Sequence, residues 1–391
     1  MTVIRGRQLF QNPGPTNIPD RVLRAMDRPA IDFFGAEFIA IRDECLEGLR
    51  WVLQTEGTVI AFAASGHGAW EAALVNVLSP GDTVLLLDSG YFSQSWGAMA
   101  AAHGVVVETL AGDWRRGVDP AAVEARLAKD KSHQIKAVML VQNETSTGVA
   151  NPCAAVRRAI DAAKHPALYM VDVISSLASF DFRMDEWQAD VVVGGSQKGL
   201  MLPPGMSFTG VSAKGLKAAE QARMPRSYWD WRPLLADGKQ ARFPGTAPVH
   251  MFYGLQEALK MLREEGLAAI FARHHRLAEA ARAAARAWSG NAGPQLYPID
   301  PAVQSDSLTT MLMPDDCDGD RLRAICLDRF NVSLGGGLGP LKGRVVRIGH
   351  MGDLNETMLL GALGAVEMGL KAAGMPHGKG GVQAAMDHLA A

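Results

Sequence analysis

The 391 residues carry 39 Lys plus Arg against 41 Asp plus Glu, a formal net charge of −2, which excludes a broad electrostatic affinity for nucleic acid or other polyanions. With 48% hydrophobic and 20% charged residues, 41 Gly and 20 Pro, the chain is long enough for one large or two unequal packed domains and is neither disordered nor fibrous. Its four cysteines, Cys45, Cys153, Cys317 and Cys326, make no C-x-x-C pair or Cys/His cluster, so neither a disulfide framework nor a metal site is expected and the setting is read as reducing and cytoplasmic.

Met1 to Arg7 runs into Asn12-Pro13-Gly14-Pro15 without the apolar stretch of a signal peptide, and no apolar run reaches the ~18 residues of a membrane span, so neither is expected. From Thr58 to Val211, short apolar runs alternate with helix-like stretches, the pattern of an α/β domain built on one large, mainly parallel sheet. Seven strands are predicted, at Thr58 to Ala63, Thr83 to Leu87, Val105 to Thr109, Lys136 to Gln142, Ala167 to Asp172, Asp190 to Gly194 and Met206 to Val211. Ala69 to Leu78, Ala121 to Lys129 and Ala154 to Ala163 have the spacing of helices lying on its faces. An Ala/Leu/Arg/Glu-rich stretch from Met251 to Trp288, broken at Gly266, reads as helix and places a domain boundary near residue 260. Beyond it, strands at Ser307 to Met313 and Arg344 to Gly349 and helices at Gly319 to Phe330 and Asn355 to Ala373 form a smaller C-terminal α+β domain over 261–391. Gly374 to Ala391 reads as a partly ordered tail.

Ligands of α/β sheets gather beyond the carboxyl ends of strands, and five such places carry unusual polar groups. Ser65-Gly66-His67-Gly68 opens a helix and can offer N–H groups to a phosphate, or be a plain tight connection. Asp172 closes an apolar strand, where a carboxylate needs a cation or strong donor, unless it caps the next segment. Lys198, within Gly194-Gly195-Ser196-Gln197-Lys198-Gly199, is placed to be a Schiff-base amine of lowered pKa. The acid and the lysine together suit the ring nitrogen and the reactive carbon of one cofactor. Gln142-Asn143-Glu144-Thr145-Ser146-Thr147-Gly148 could meet a ring hydroxyl or be an ordinary turn. Arg347, alone in an apolar strand, offers its fork to a substrate carboxylate or makes an interdomain ion pair.

Taken with Asn12-Pro13-Gly14-Pro15-Thr16-Asn17-Ile18-Pro19 and Arg347-Ile348-Gly349-His350, these motifs resemble, over nearly the whole chain, the class V aminotransferases of fold type I. These are pyridoxal 5'-phosphate (PLP) enzymes that include the serine-glyoxylate and alanine-glyoxylate aminotransferases. The resemblance implies that Lys198 bonds the cofactor and shuttles the proton, and that Asp172 keeps the pyridine nitrogen protonated. It implies that Ser65, Gly66, His67 and Gln197 surround the phosphate, Phe92 and Ile174 cover the two ring faces, and Thr145 meets O3′. It also implies a homodimer, in which Thr246 of a neighbouring subunit completes the phosphate site, with Phe243 standing where relatives often have Tyr. Arg347 matches the α-carboxylate clamp, and Gly14, in an N-terminal segment 1–16 that precedes a cofactor domain over 17–260, matches a wall of the substrate pocket.

The implied reaction is ping-pong transamination through pyridoxamine phosphate, from a small amino donor, serine or alanine, to glyoxylate or a similar 2-oxo acid. Bacterial serine- and aspartate-glyoxylate relatives commonly read Asp-His-Arg-Ser where this chain has Asp32-Phe33-Phe34-Gly35, an apolar loop. Aspartate-glyoxylate and pyridoxamine-pyruvate aminotransferases are the nearest rivals, and the Ser65-Gly66-His67 motif argues against the second. A carbon-sulfur lyase would need a mobile cysteine, and a non-enzymatic PLP-binding regulator would be expected to show a basic patch.

Overall fold

The computed structural model describes residues 6–236 and 242–391. Runs such as Val-Met-Leu-Val and Val-Val-Val lack the alternation of a half-exposed strand because both faces of their sheet are covered by helices. All seven predicted strands are present and lie in one sheet. From one edge the order is Thr58–Phe62, Ser207–Val211, Val191–Gly195, Leu168–Asp172, Ile135–Val141, Thr83–Leu87, Val106–Leu110. The last five run parallel, whereas Ser207–Val211 is antiparallel to both of its neighbours. The crossover helices Gly66–Val77, Tyr91–Ala102, Pro120–Lys129 and Cys153–Ala162 seal its faces.

Register sets the site. Asp172 stands opposite Val141 on one side and Val193 on the other, so the ends of three neighbouring strands open on one crevice. The approach there is close. A Cβ on Gly194 would fall 2.2 Å from Cε2 of Phe208, its buried cross-strand partner.

The predicted break at Gly266 falls between the helices Val249–Glu265 and Leu267–Trp288. Its φ of +82° is a backbone that a side chain would strain. The second helix carries the chain into a smaller α+β unit with its own apolar core, which includes Leu277, Trp288, Met311, Ile348 and Leu363. Its five strands run in the order Leu9–Gln11, Val332–Gly336, Val345–Gly349, Leu308–Leu312, Gln295–Leu296. The first of these comes from the N-terminus and pairs parallel with Val332–Leu334, which draws residues 12–16 across the mouth of the crevice.

The expected partly ordered tail instead ends in a helix, Gly381–Ala390. Ala385 is fully buried, and Glu367 accepts from both the Trp288 indole (3.0 Å) and the Val382 N–H (2.9 Å), which pins the helix to the second core. No helix among the described residues is long and apolar enough to cross a membrane.

Gly194→Ala tests the tightness of the central sheet. Overpacking against a ring that cannot retreat should cost about 1–3 kcal/mol in a urea melt, and an unchanged midpoint would show that Phe208 moves freely.

Candidate active site

Lys198 follows its strand by three residues and is held from two sides. Its carbonyl accepts from Thr16 Oγ1 (3.1 Å), and its Nζ donates to the Pro13 carbonyl (2.8 Å). Gly14, at φ +100°, makes this approach possible, since a Cβ there would sit 2.1 Å from Nζ. Burial above all, and the charge of Arg347 next, lower the Lys198 amine to about 8, against the pull of Asp172.

Asp172 is buried, and its carboxylate accepts from the Trp70 indole N–H (2.6 Å) and the Ile174 N–H (2.7 Å). Loss of water nevertheless pushes it up to about 7, with Glu144 adding to the rise and the two donors and Lys198 opposing it.

Between these two groups lies a narrow cavity of about 90 Å³. The structure brings eight of the residues expected from the sequence to its wall: Gly66, His67, Phe92, Thr145, Asp172, Ile174, Gln197 and Lys198. Glycine is required at 66 because a Cβ would lie 2.4 Å from Ile174 Cδ1. Trp70, Val141, Asn143 and Ser175 also line the cavity and were missed. Trp70 sits one helical turn beyond Gly66, and on an apolar helix an indole reads as core. Asn143 and Ser175 carried a signal in their polar neighbours, Thr145 and Asp172.

Four expected residues stand outside the wall. Ser65 is the exposed N-cap of Gly66–Val77, yet its hydroxyl makes no capping bond; its carbonyl takes the Gly68 N–H (2.9 Å), which leaves the N–H groups of Gly66 and His67 for another acceptor. Gly14 lies against Lys198 as described. Arg347, almost fully buried, donates through Nη1 to the Thr145 carbonyl and through Nε to the Gly336 carbonyl, both at 2.7 Å. Those acceptors replace the alternative of an interdomain ion pair, and burial lowers the guanidinium to about 10, with Glu144 opposing. Thr246 is exposed, beside a separate cavity of about 470 Å³ lined by Phe33, Phe34, Phe38, Phe243, Gly245 and Ala247 among others. The apolar loop at 32–35 therefore borders that second cavity and not the one at Lys198.

Glu144 orients Phe92. Its fully buried carboxylate accepts from the N–H groups of Phe92 (3.1 Å), Ser93 (3.0 Å) and Ser146 (3.0 Å) and from Ser146 Oγ (2.7 Å), at the N-terminus of Tyr91–Ala102. Burial raises its pKa, and these donors resist the rise.

An enclosed lysine and a buried acid at adjoining strand ends of such a sheet, with an arginine beside them, define a PLP-dependent transaminase. The family described as Aminotransferase class-V matches residues 8–337, and the chain belongs to it. It is 43% identical over 378 residues to L-aspartate–glyoxylate aminotransferase of Paracoccus denitrificans, covering 96% of this chain and 94% of that one. It is 44% identical over 391 residues to serine–glyoxylate aminotransferase of Methylorubrum extorquens, covering 98% and 96%. The ureidoglycine-glyoxylate aminotransferase structure from Bacillus subtilis superposes with a TM-score of 0.90 over 100% of both chains at 28% identity.

The residues present fit PLP. The Gly66–Val77 helix leaves the N–H groups of Gly66 and His67 uncapped by the Ser65 side chain, Asp172 is a carboxylate suited to a protonated ring nitrogen, and Asn143 Oδ1 is a buried acceptor without a partner in the cavity wall. Bound there, PLP supplies a carbonyl carbon for an amine and a ring that draws electrons from the substrate α-carbon.

The amine of Lys198 should titrate near 8 in cofactor-free protein. Trace acetylation followed by peptide mass spectrometry should give a midpoint there; a midpoint at the ordinary lysine value of 10.5 would contradict the enclosure.

Proposed function

We propose that this transaminase moves the amino group of a small amino acid, serine or alanine, to glyoxylate or a similar 2-oxo acid, in two half-reactions through one site. The observation that carries the reading is a small cavity with Lys198 and Asp172 in its wall, otherwise walled in part by Trp70, Phe92, Val141 and Ile174, and Arg347 held just outside it on the carbonyl of the wall residue Thr145. The names of the two relatives reported above support glyoxylate as acceptor.

In this reading Lys198 holds the cofactor covalently and then, as a free amine near neutral pH, takes and returns the proton at the substrate α-carbon. Asp172 keeps the proton on the ring nitrogen. Arg347 turns its fork to the α-carboxylate of donor and acceptor alike. Ser65, Gly66, His67 and Gln197 hold the phosphate, Thr145 meets O3′, Phe92 and Ile174 fix the ring plane and keep water from it, and Gly14 leaves room for the substrate. Thr246 serves the site of a second copy, so the protein works as a homodimer, in the cytoplasm. The exposed Phe34 and Ile39 beside the second cavity support that pairing.

Carbon-sulfur lysis is disfavoured because none of the four cysteines lines the cavity. Cys326, buried in the second core, is pushed up to about 12 by that burial.

The direct test follows the visible absorbance of the PLP-loaded protein with L-serine, L-alanine and L-aspartate added separately. The donor that bleaches the band, with glyoxylate restoring it, is the substrate; a band that none of them bleaches would overturn the proposal. A second test addresses Asp172. Trp70→Phe deletes its strongest side-chain donor, so its pKa should rise further above 7 and more of it be protonated at neutral pH. We expect kcat/KM to fall roughly tenfold at pH 7, with the deficit shrinking as pH rises and the carboxylate ionises again. A deficit independent of pH would contradict this role.

A further inference from the structure

Buried hydroxyls join the two domains at the site. Arg347 reaches across to the Thr145 carbonyl (2.7 Å), and Thr145 Oγ1 bonds Ser175 Oγ (2.7 Å), which in turn donates to the Asn143 carbonyl (2.9 Å). Ser175 is the cavity-wall residue three beyond Asp172, and its own carbonyl accepts from Ser307 Oγ at 2.6 Å. Ser307 belongs to the small domain, and its carbonyl accepts from the N–H of His350 (2.9 Å), three residues after Arg347 on the same chain segment. The path Arg347–Thr145–Ser175–Ser307–His350 thus closes on itself through the strand Val345–Gly349. Its side-chain hydroxyls are all buried, with Ser307 at 0% exposure and Ser175 at 3%.

Arg347 itself is tied to one carbonyl in each domain, Thr145 and Gly336, so its place relative to the cavity depends on how the two domains are registered. The Ser307 contact is a further tie between the same two domains. It fixes where the strand Leu308–Leu312, paired to Val345–Gly349 with Thr310 opposite Arg347, stands relative to the Asp172–Ser175 turn.

We propose that Ser307, acting through Ser175, is a positioning residue that registers the guanidinium of Arg347 against the cofactor cradle. This deepens the functional reading above, in which Arg347 clamps the substrate carboxylate. A hydroxyl that merely satisfied a buried carbonyl would lower stability alone, whereas a registering hydroxyl controls substrate affinity.

Kinetics separate the two. Ser307→Ala should raise KM for both the amino donor and the 2-oxo acid roughly tenfold, the scale of one lost buried hydrogen bond, while kcat changes less than about threefold. In an Arg347→Gln background the same substitution should add nothing further to either KM, because the group it positions is gone. Equal KM values in wild type and Ser307→Ala, or the same fold-increase in both backgrounds, would overturn the proposal. If Ser307→Ala fails to fold, Ser307→Cys, of similar volume and weaker as a donor, decides the matter by the same KM comparison. The measurement uses whichever donor and 2-oxo acid the wild type turns over, so a wrong choice of glyoxylate would appear in the wild-type assay and leave this inference decidable.

Discussion

A carboxylate at the closed end of a buried strand is the constraint around which the rest is arranged. Asp172 has apolar strands on both sides and little water, a position that by itself favours the neutral acid. Two donors resist that tendency, and each is supplied by a different piece of architecture. The Ile174 N–H depends on the turn that follows the strand. The Trp70 N–H depends on the crossover helix Gly66–Val77 starting at one height and rotation, which in turn requires glycine at 66 against Ile174. The same helix start leaves N–H groups unspent at its tip. One helix placement therefore sets both the indole donor to Asp172 and the free N–H groups of the helix tip, on the wall of one cavity.

Backbone carbonyls from both domains hold the two cations. Pro13, delivered by the N-terminal strand Leu9–Gln11, accepts from Lys198, and Gly336 and Thr145 accept from Arg347. Carbonyls orient cations without neutralising them. Lys198 stays easy to deprotonate, and Arg347 stays charged with Nη2 unbonded among the described residues.

Legibility from sequence followed how local each signal was. The seven strands were readable because burial on both faces leaves an uninterrupted apolar run, and Lys198, Asp172 and Arg347 were readable because a charge beside such a run is conspicuous. Val332–Gly336 was not, since Gly335 and Gly336 look like loop; glycine is there so that Pro13 can pass, a Cβ on Gly335 falling 2.6 Å from its ring. The three-residue strand Leu9–Gln11 is too short to show a period. Trp70, Ser175 and Ser307 are ordinary residues whose importance comes from what stands opposite them in three dimensions, and no spacing rule reaches from Ser175 to Ser307. The terminal helix was missed for the opposite reason: its glycine-rich approach, Gly374 to Gly381, resembles a frayed tail until Trp288 and Glu367 provide something to pack on.

Electrostatically the site holds Lys198 and Arg347 against Asp172 and Glu144, two cations and two acids that burial drives toward their uncharged forms. Glu144 is settled by N–H groups and Ser146 alone, so its charge is committed to the Tyr91–Ala102 helix and to placing Phe92. The remaining three groups have no such internal settlement. In the proposed function two of them gain a complementary charge from outside: a carboxylate for Arg347 and a cationic ring nitrogen for Asp172. For Lys198 the lowered pKa makes the neutral amine accessible, which is the form that bonds a carbonyl carbon or removes a proton. The fold thus spends its donors most heavily on Glu144, the acid that serves as scaffold, and leaves Lys198 and Arg347 with carbonyl partners alone.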